Sequence, residues 1–435
     1  MTTAARHDLP ATRGQISAWG FWDWGSSAFH AVVLTFVFSV YLTGTVGDDL
    51  PGSVSAQSWL GYALGAAGLL IALMAPVIGQ RADAAGRRRF SVGGWTAMTI
   101  ATMVGLFFVR DDYPFLWLGL VLLGLGTIFA ELAQVSYNAL LRQVSTPATI
   151  GRVSGFGWAM GYFGGIVALL AVYLGLITGD GGLLGVSTAD GFNIRLVALV
   201  AAVWFAVFAV PMLVLIPETP AAEQHPRLGV VGSYRKLLRD LRELYRADPH
   251  TVYFLGASAV FRDGLVAIFT FGGVLAVSVY QIDPADVLIF GIAANVAAGI
   301  GAVVAGRIDD RVGPKVVVVW SLVGMLVSGG FLLFVSGPTA FWVFGLGLTL
   351  FVGPAQASSR TYLTLLTPPG QEGQMFGLYA TTGRAVSFLA PTLVGVFTYA
   401  FASNRAGIVG ILLVIGVGLI ALLQVRAPER VDAAI

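Results

Sequence analysis

Long apolar runs of the chain carry a small set of ionisable and amide side chains. They are Asp23, Ser27 and His30; Glu131, Gln134 and Asn138; Arg262 and Asp263; Asn295; Gln356 and Arg360; and Arg384. An ionisable group at the centre of a membrane helix costs about 2.5–3.5 kcal/mol on insertion scales, so such groups face a bundle interior. Residues four and seven positions apart share one helix face, which groups Asp23 with Ser27 and His30. The same spacing groups Glu131 with Gln134 and Asn138. A carboxyl in such a setting can load and release a proton near neutral pH. Glu131 is the first candidate for that role, Asp23 the second and His30 the third. The competing readings are a fixed ion pair at Glu131 and a satisfied packing residue at His30. Arginine stays charged, so Arg384 and Arg262 suit the carboxylate of a bound zwitterion or anion instead. Asp263, Gln134, Asn138, Asn295 and Gln356 are further candidates for contacting a polar ligand, and Trp158 and Tyr162 for walling it.

The elements that must position these groups are membrane helices. The chain has 435 residues, of which 57% are hydrophobic and 11% charged. A soluble domain carries about 25% charged residues. The net charge of +2 gives no support to a nucleic-acid partner, and the absence of Cys excludes disulfides, thiolate metal sites and a Cys nucleophile. No phosphate-binding loop, zinc-protease motif or nucleophile elbow occurs, so no enzyme activity, cofactor or metal is expected. Residues 1–16 are polar, and the apolar run after them exceeds the length of a signal peptide core, so it reads as a retained helix.

About 20 mostly apolar residues cross the hydrocarbon core. That rule gives twelve spans: 17–43, 56–78, 90–109, 114–140, 152–177, 194–216, 251–279, 286–306, 316–336, 340–363, 374–402 and 405–425. Lys and Arg concentrate in alternate loops, at Arg81, Arg87, Arg88, Arg89, Arg142, Arg152, Arg307, Arg311 and Lys315, and in the tails at Arg6, Arg13, Arg426 and Arg430. Acidic residues fill the others. The bias puts both termini in the cytoplasm of a multi-pass protein of the cell (inner) membrane. Residues 217–250 break the rhythm of short loops. They hold a basic amphipathic pattern, with Tyr234, Leu237, Leu238, Leu241, Leu244 and Tyr245 against Arg235, Lys236, Arg239, Arg242 and Arg246. This linker is expected to pack on the bundle and to meet membrane lipid.

The linker separates two related halves. Gly79, Asp83, Gly86 and Arg88 match Gly306, Asp310, Gly313 and Lys315 at one offset, 306 − 79 = 227. Gly151, Gly155 and Gly161 match Gly373, Gly377 and Gly383 at another, 373 − 151 = 222. A weaker match pairs Gly25 with Gly264 and places Asp23 at the position of Arg262. That equivalence suggests an Asp23–Arg262 pair between the halves in at least one state; the alternative is separate local pairing, with Arg262 held by its own neighbours. The chain therefore divides into a tail (1–16), a six-helix half (17–216), the linker (217–250), a second six-helix half (251–425) and a tail (426–435). Both halves start on one side, which makes them parallel repeats with a site near the midplane between them.

The pattern Gly79-x-x-x-Asp83-x-x-Gly86-Arg87-Arg88 resembles the signature loop of the major facilitator superfamily. The basic residue common after the Asp is absent at Ala84 and present as Arg311 in the second copy. Its physical logic is a latch, with the Asp at a helix N-terminus and the Arg groups reaching across to the other half. Gly79, Asp83, Gly86, Arg87, Arg88, Asp310, Arg311, Gly313 and Lys315 are the candidate cytoplasmic gate; the plainer reading is a positive-inside signal. A narrower resemblance covers most of the chain. Trp19-x-x-Trp22-Asp23-Trp24-Gly25-Ser26-Ser27-Ala28, the stretch Gly151 to Gly165, Gln356-Ala357-x-Ser359-Arg360, and Phe376-Gly377-x-Tyr379 through Gly383-Arg384 look like the vacuole-effluxer-like branch of that superfamily. The resemblance implies an all-α fold of twelve helices in two pseudo-symmetric halves. It also implies export of a small polar solute such as an amino acid. The absence of an ATP-binding motif and the carboxyls of Glu131 and Asp23 point to a secondary transporter driven by a proton gradient, the alternative being the solute gradient alone, and a monomer is expected. The alternatives are an exporter of amphipathic drugs or lipids, and a receptor or scaffold that moves nothing.

Overall fold

The computed structural model describes residues 11–218 and 230–426. The tail residues Arg6 and Arg430 and linker positions 219–229 lie outside the described residues. Everything regular among the described residues is helical. The first helix, α1 (Arg13–Ala28), starts at a capping box in which Thr12 and Gln15 satisfy each other's backbone groups. It does not continue as α-helix. Phe29–Phe36 and Leu42–Val46 form wider π turns. This stretch is rich in β-branched residues, which hold a helix poorly. Periodicity carried no sign of that irregularity, which begins beside His30.

The helices that follow are α2 (Ala56–Ala85), α3 (Arg88–Leu106), α4 (Phe115–Ala139), α5 (Ile150–Val172) and α6 (Phe192–Leu215). The linker helix is α7 (Val230–Ala247). Beyond it come α8 (Pro249–Tyr280), α9 (Pro284–Val312) and α10 (Pro314–Phe334). Two stretches expected as single spans contain interrupted helices, of which 338–366 still counts as one membrane-crossing stretch. Residues 338–366 form α11 (Pro338–Leu350) and α12 (Val352–Leu366). Residues 372–400 form α13 (Glu372–Val386) and α14 (Leu389–Ala400). A proline follows each break, three residues after Phe351 and four after Ser387. Pro354 cannot donate to the Leu350 carbonyl, and Pro391 cannot donate to the Ser387 carbonyl. The last helix is α15 (Gly407–Leu423).

Among the described residues, ten helical stretches are long and apolar enough to cross a membrane. Two expected spans are not in that set. One is α3, whose buried face carries Thr96, Thr99 and Thr102. The other is the α13–α14 pair, whose two pieces are each short. Large apolar side chains cover much of the outside: Leu69, Val203, Trp320, Phe334 and Tyr399 are all more than half exposed. Such a surface suits lipid and would not suit water. The chain is a multi-pass membrane protein.

Packing joins α1 with α5 and α6, α3 with α4 and α6, and α2 with α4. It joins α8 with α13 and α15, α9 with α11 and α12, and α10 with α11, α12 and α15. One buried apolar core centres on Trp19, Trp22, Phe29 and Phe205, and a second on Phe254, Phe261, Tyr362 and Phe376. Cross contacts between the two sets run through α2 against α13, α4 against α13, α5 against α9 and α5 against α12. The linker helix α7 lies on α2 and α8, with Leu237 buried and the Tyr234 hydroxyl donating to the Leu73 carbonyl at 2.5 Å.

Candidate functional site

Two seams close the bundle at the end that carries the Gly–Asp loops. At the first, α2 meets α13 backbone to backbone at Gly79 and Gly373, with Gln80 donating to Gln374 beside them at 3.2 Å. A Cβ added to Gly79 would lie 1.9 Å from the Gly373 carbonyl oxygen, nearer than any real contact. Below it, Gly86 ends α2 in the left-handed conformation, at φ 60°. Asp83 then accepts from the Gly373 N–H at 3.0 Å and the Gln374 N–H at 2.9 Å, at the N-terminus of α13. Arg88 donates to Asp83 at 2.7 Å and to Glu372 at 2.5 Å. Arg142 adds a contact to Glu372 at 3.0 Å and donates to the carbonyls of Thr364 and Thr367. Burial pulls the Arg142 guanidinium below its usual range; Glu372 opposes this and Arg88 adds to it. An arginine starts so high that it remains charged.

The second seam repeats the first in outline. Asp310 accepts from the Gly151 N–H at 2.8 Å and the Arg152 N–H at 3.3 Å, at the N-terminus of α5. Arg152 also binds Asp310 through its side chain at 2.7 Å. These N–H donors are the 222-residue equivalents of Gly373 and Gln374, since 373 − 151 and 374 − 152 both equal 222. The charge content differs. Position 150 is Ile where the first seam has Glu372, and Arg152 is 58% exposed where Arg88 is 6%. Lys315 turns away and donates to the carbonyls of Leu423 and Val425. Arg87 precedes α3 as an exposed residue with no side-chain cap. Arg311 lies exposed at the end of α9, and Gly313 links α9 to α10 at φ 93°.

Gly79→Val tests the close approach of α2 and α13. Overpacking of this kind costs about 1–3 kcal/mol, a roughly 10–100-fold loss of the closed seam. The chain has no Cys, so spin labels can go at Ala85→Cys and Pro369→Cys. Their distance should lengthen in Gly79→Val; an unchanged distance contradicts the packing account.

Toward the middle, Glu131 on α4 accepts from Arg384 on α13 at 2.8 Å, with the two side chains 25% and 35% exposed. Arg262 on α8 stacks over the Tyr379 ring at 3.7 Å and donates to the Tyr379 carbonyl at 3.1 Å. It makes no ion pair among the described residues. Arg262 and His30 lie within electrostatic reach of Glu131. His30 Nδ1 is 3.2 Å from the Ser26 carbonyl oxygen. Beyond this level Gly61 and Gly65 on α2 face open space.

A second polar group sits deeper. Arg360 on α12 lies 3.5 Å from Asp23 and donates to the Ser154 hydroxyl at 3.0 Å, the Ser154 carbonyl at 2.7 Å and Asn138 at 3.2 Å. Its guanidinium is flanked by Trp19 at 4.8 Å and Trp158 at 5.5 Å. Tyr137 donates to Asp23 at 2.8 Å. Gln134 donates to Asn138 at 3.2 Å, and the Trp158 and Tyr162 rings lie 6.1 Å apart. The pair suggested by pseudo-symmetry, Asp23 with Arg262, does not form here. Asp23 takes Arg360, and Arg262 takes Tyr379.

The remaining candidates have local tasks. Asp263 accepts from the Ala390 N–H at 2.6 Å and so satisfies the start of α14 after its proline break. Asn295 donates to the Gly291 carbonyl of its own helix at 2.8 Å. Gln356 is partly buried on α12. Sequence reasoning left out Glu372, Arg142, Tyr137 and Ser154. A signal existed for Glu372, which opens a helix after the turn Pro368-Pro369-Gly370. None existed for Arg142, which reads as one more positive loop charge.

The family profile described as "Vacuole effluxer Atg22 like" matches residues 11–433. The "Uncharacterized MFS-type transporter YxiO" of Bacillus subtilis (strain 168) is 22% identical over 423 residues, 97% of this chain and 96% of its own length. "Autophagy-related protein 22" of Yarrowia lipolytica is 24% identical over 305 residues, 63% of this chain and 50% of that protein. The chain thus spans about half the length of the fungal relatives it resembles. The fold is that of the E. coli fucose:proton symporter FucP, with a TM-score of 0.73 at 12% identity, covering 95% of this chain and 98% of that one. The human organic anion transporter MFSD10 (TETRAN) gives a TM-score of 0.70 at 14% identity, covering 96% and 100%.

Proposed function

This chain belongs to the Vacuole effluxer Atg22-like family of major facilitators, and on that premise we propose that it exports a small zwitterionic or anionic solute, of the amino-acid class, in exchange for protons. The observation that carries this reading is the charge imbalance at mid-depth. Glu131 neutralises Arg384, and Arg262 beside them has no carboxylate partner among the described residues. A site with one guanidinium in excess favours a solute carboxylate. The ammonium of a zwitterion and a proton compete for the Glu131 carboxylate, while Arg262 and Arg384 take the solute carboxylate, so proton uptake at Glu131 expels the solute.

Alternating access gives the cycle. The first half, the linker and the second half act as units, with twelve spans if α3 and the α13–α14 pair are counted across the bilayer. The lysine and arginine bias puts the loop end in the cytoplasm of the cell (inner) membrane, which makes this the outward-facing state. Asp83, Arg88, Glu372 and Arg142 hold the cytoplasmic side shut, together with Asp310 and Arg152. Opening that side exposes Glu131 and Arg384 to cytoplasmic solute, and closing it returns them to the outside.

The test is solute binding to purified protein, read by calorimetry over zwitterionic, anionic and apolar cationic compounds. Hydrogen bonds to charged groups contribute about 1.5–3 kcal/mol. Arg384→Ala should therefore weaken the binding of a zwitterion roughly 10–100-fold. Unchanged zwitterion affinity, or selective binding of apolar cations, would overturn the proposal in favour of a drug or lipid exporter.

A further inference from the structure

The two seams differ at one buried group that the cycle above does not use. Asp309 stands next to Asp310 on α9 and is only 3% exposed. Its counterpart in the first seam is Ala82, since 309 − 82 = 227. The Asp309 side chain is pressed into the junction with α5: a Cβ added to Gly151 would lie 2.7 Å from its Cβ and 2.9 Å from its Cγ. Its Oδ2 is buried without a hydrogen-bond partner, and so is the hydroxyl of Ser358 on α12. Ser358 and Thr361 both face the carboxyl. Thr361 gives its proton to the Ala357 carbonyl at 3.2 Å instead.

The charged groups on the surrounding helices are committed elsewhere. Arg152 of α5 binds Asp310. Arg360 of α12 turns to Asp23, Ser154 and Asn138. Lys315 of α10 holds the carbonyls at the end of α15. On α9 itself Arg307 donates to the Val303 carbonyl at 3.2 Å, and Arg311 is exposed. Asp310 adds a like charge one residue away. A carboxylate in this position would be buried with neither a cation nor an N–H donor, an arrangement that proteins avoid by neutralising the group. A neutral carboxyl and the Ser358 hydroxyl, each both donor and acceptor, can satisfy one another with no cation in reach, which a carboxylate with that single hydroxyl cannot do for both its oxygens.

We propose that Asp309 is a second proton-binding site, loaded when the α5–α9 seam closes and unloaded when the seam opens to water. The step is a simple association: the carboxylate takes one proton from the cytoplasmic-side water as the helices close, and returns it there on opening. Closure at this seam is therefore favoured at low pH and weakened as pH rises. The inference rests on the proposed alternating cycle but concerns a different residue from Glu131 and a different readout from flux.

The experiment measures the seam directly. Spin labels at Ala148→Cys and Val312→Cys, both exposed positions at the two sides of the seam, report the closed fraction in lipid nanodiscs between pH 5 and 9. In the otherwise native chain the closed fraction should fall as pH rises. Asp309→Asn, which mimics the neutral carboxyl, should hold the closed fraction at its low-pH level across the range. Glu131→Gln should keep the pH response, so loss of the Glu131 role and loss of the Asp309 role are told apart. Asp309→Ser serves as a second neutral variant if the amide fails to fold, and should likewise remove the response. A seam that ignores pH in the native chain overturns the proposal, as does a full pH response in either neutral variant.

Discussion

Glu131→Gln should abolish the effect of a proton gradient on solute flux while leaving solute–solute exchange running. The amide keeps the size of the side chain and can still accept a hydrogen bond from Arg384, whose guanidinium lies 2.8 Å from the native carboxylate. It cannot take up a proton, so nothing links solute release to proton uptake. Gradient-driven accumulation should fall to the level set by the solute gradient alone. One coupled proton contributes about 1.4 kcal/mol per unit of pH gradient, so a loss of roughly tenfold in driven accumulation is expected at a one-unit gradient. Exchange across the bilayer needs only the conformational cycle and a cation for the solute carboxylate. The competing account of Glu131, a fixed pair that orients α4, makes a different prediction. In that case the variant lowers exchange and driven flux together. Flux into proteoliposomes, with and without a pH gradient and with and without counter-solute, separates the two.

Glu372→Gln should open the α2–α13 seam. Glu372 is 2% exposed and serves two arginines, Arg88 at 2.5 Å and Arg142 at 3.0 Å, besides the Gly370 N–H at 2.9 Å. Removing its charge leaves the buried Arg88 with Asp83 alone, and leaves Arg142, a third exposed, with the Thr364 and Thr367 carbonyls. Breaking a buried pair in this way costs about 3–5 kcal/mol, which moves the balance between closed and open seams by roughly 100–4,000-fold. The second seam provides the contrast. Arg152→Gln breaks an ion pair whose arginine is 58% exposed, and exposed pairs contribute about 0–1 kcal/mol. The label pair at Ala85→Cys and Pro369→Cys should therefore report an open seam in Glu372→Gln and a nearly native one in Arg152→Gln. Equal responses to the two substitutions would mean that the buried network does not hold the seam.

Much of the architecture was legible because a bilayer leaves little choice. Apolar runs of span length stand out from the composition, and the glycine repeats pair the two parts of the chain before any contact is known. The breaks at Phe351 and at Ser387–Phe388 were less legible. Pro354 and Pro391 lie within apolar runs whose average hides them. Their effect falls on a carbonyl four residues back, and whether a helix kinks or parts there depends on neighbours such as Asp263. The π turns after Ala28 had no signal in the periodicity, only a run of β-branched residues that lowers helix propensity slightly.

The polar groups divide in the same way. Their presence inside spans marked Asp23, Glu131, Arg262, Arg360 and Arg384 as inward-facing, since lipid would reject them. Their partners were not legible. Pseudo-symmetry offered Asp23 to Arg262, yet Arg360 is held beside Asp23 by Ser154, Asn138 and two tryptophans. That choice depends on how α5 and α12 cross, which residue spacing within one helix does not encode. Glu372 was missed for a related reason. It sits where a loop charge would be expected, and only the approach of α2 to α13 turns it into a buried acceptor.

The central claim is exchange of an outgoing solute against incoming protons, and proton movement in sealed vesicles tests it most directly. Proteoliposomes loaded with one amino acid at a time, with a pH-sensitive dye inside, are diluted into solute-free buffer. The account predicts that the lumen acidifies as the solute leaves, whichever way the protein is inserted, and that Glu131→Gln removes the signal. A lumen that becomes alkaline, or that shows no change for any amino acid or related anion, would contradict it.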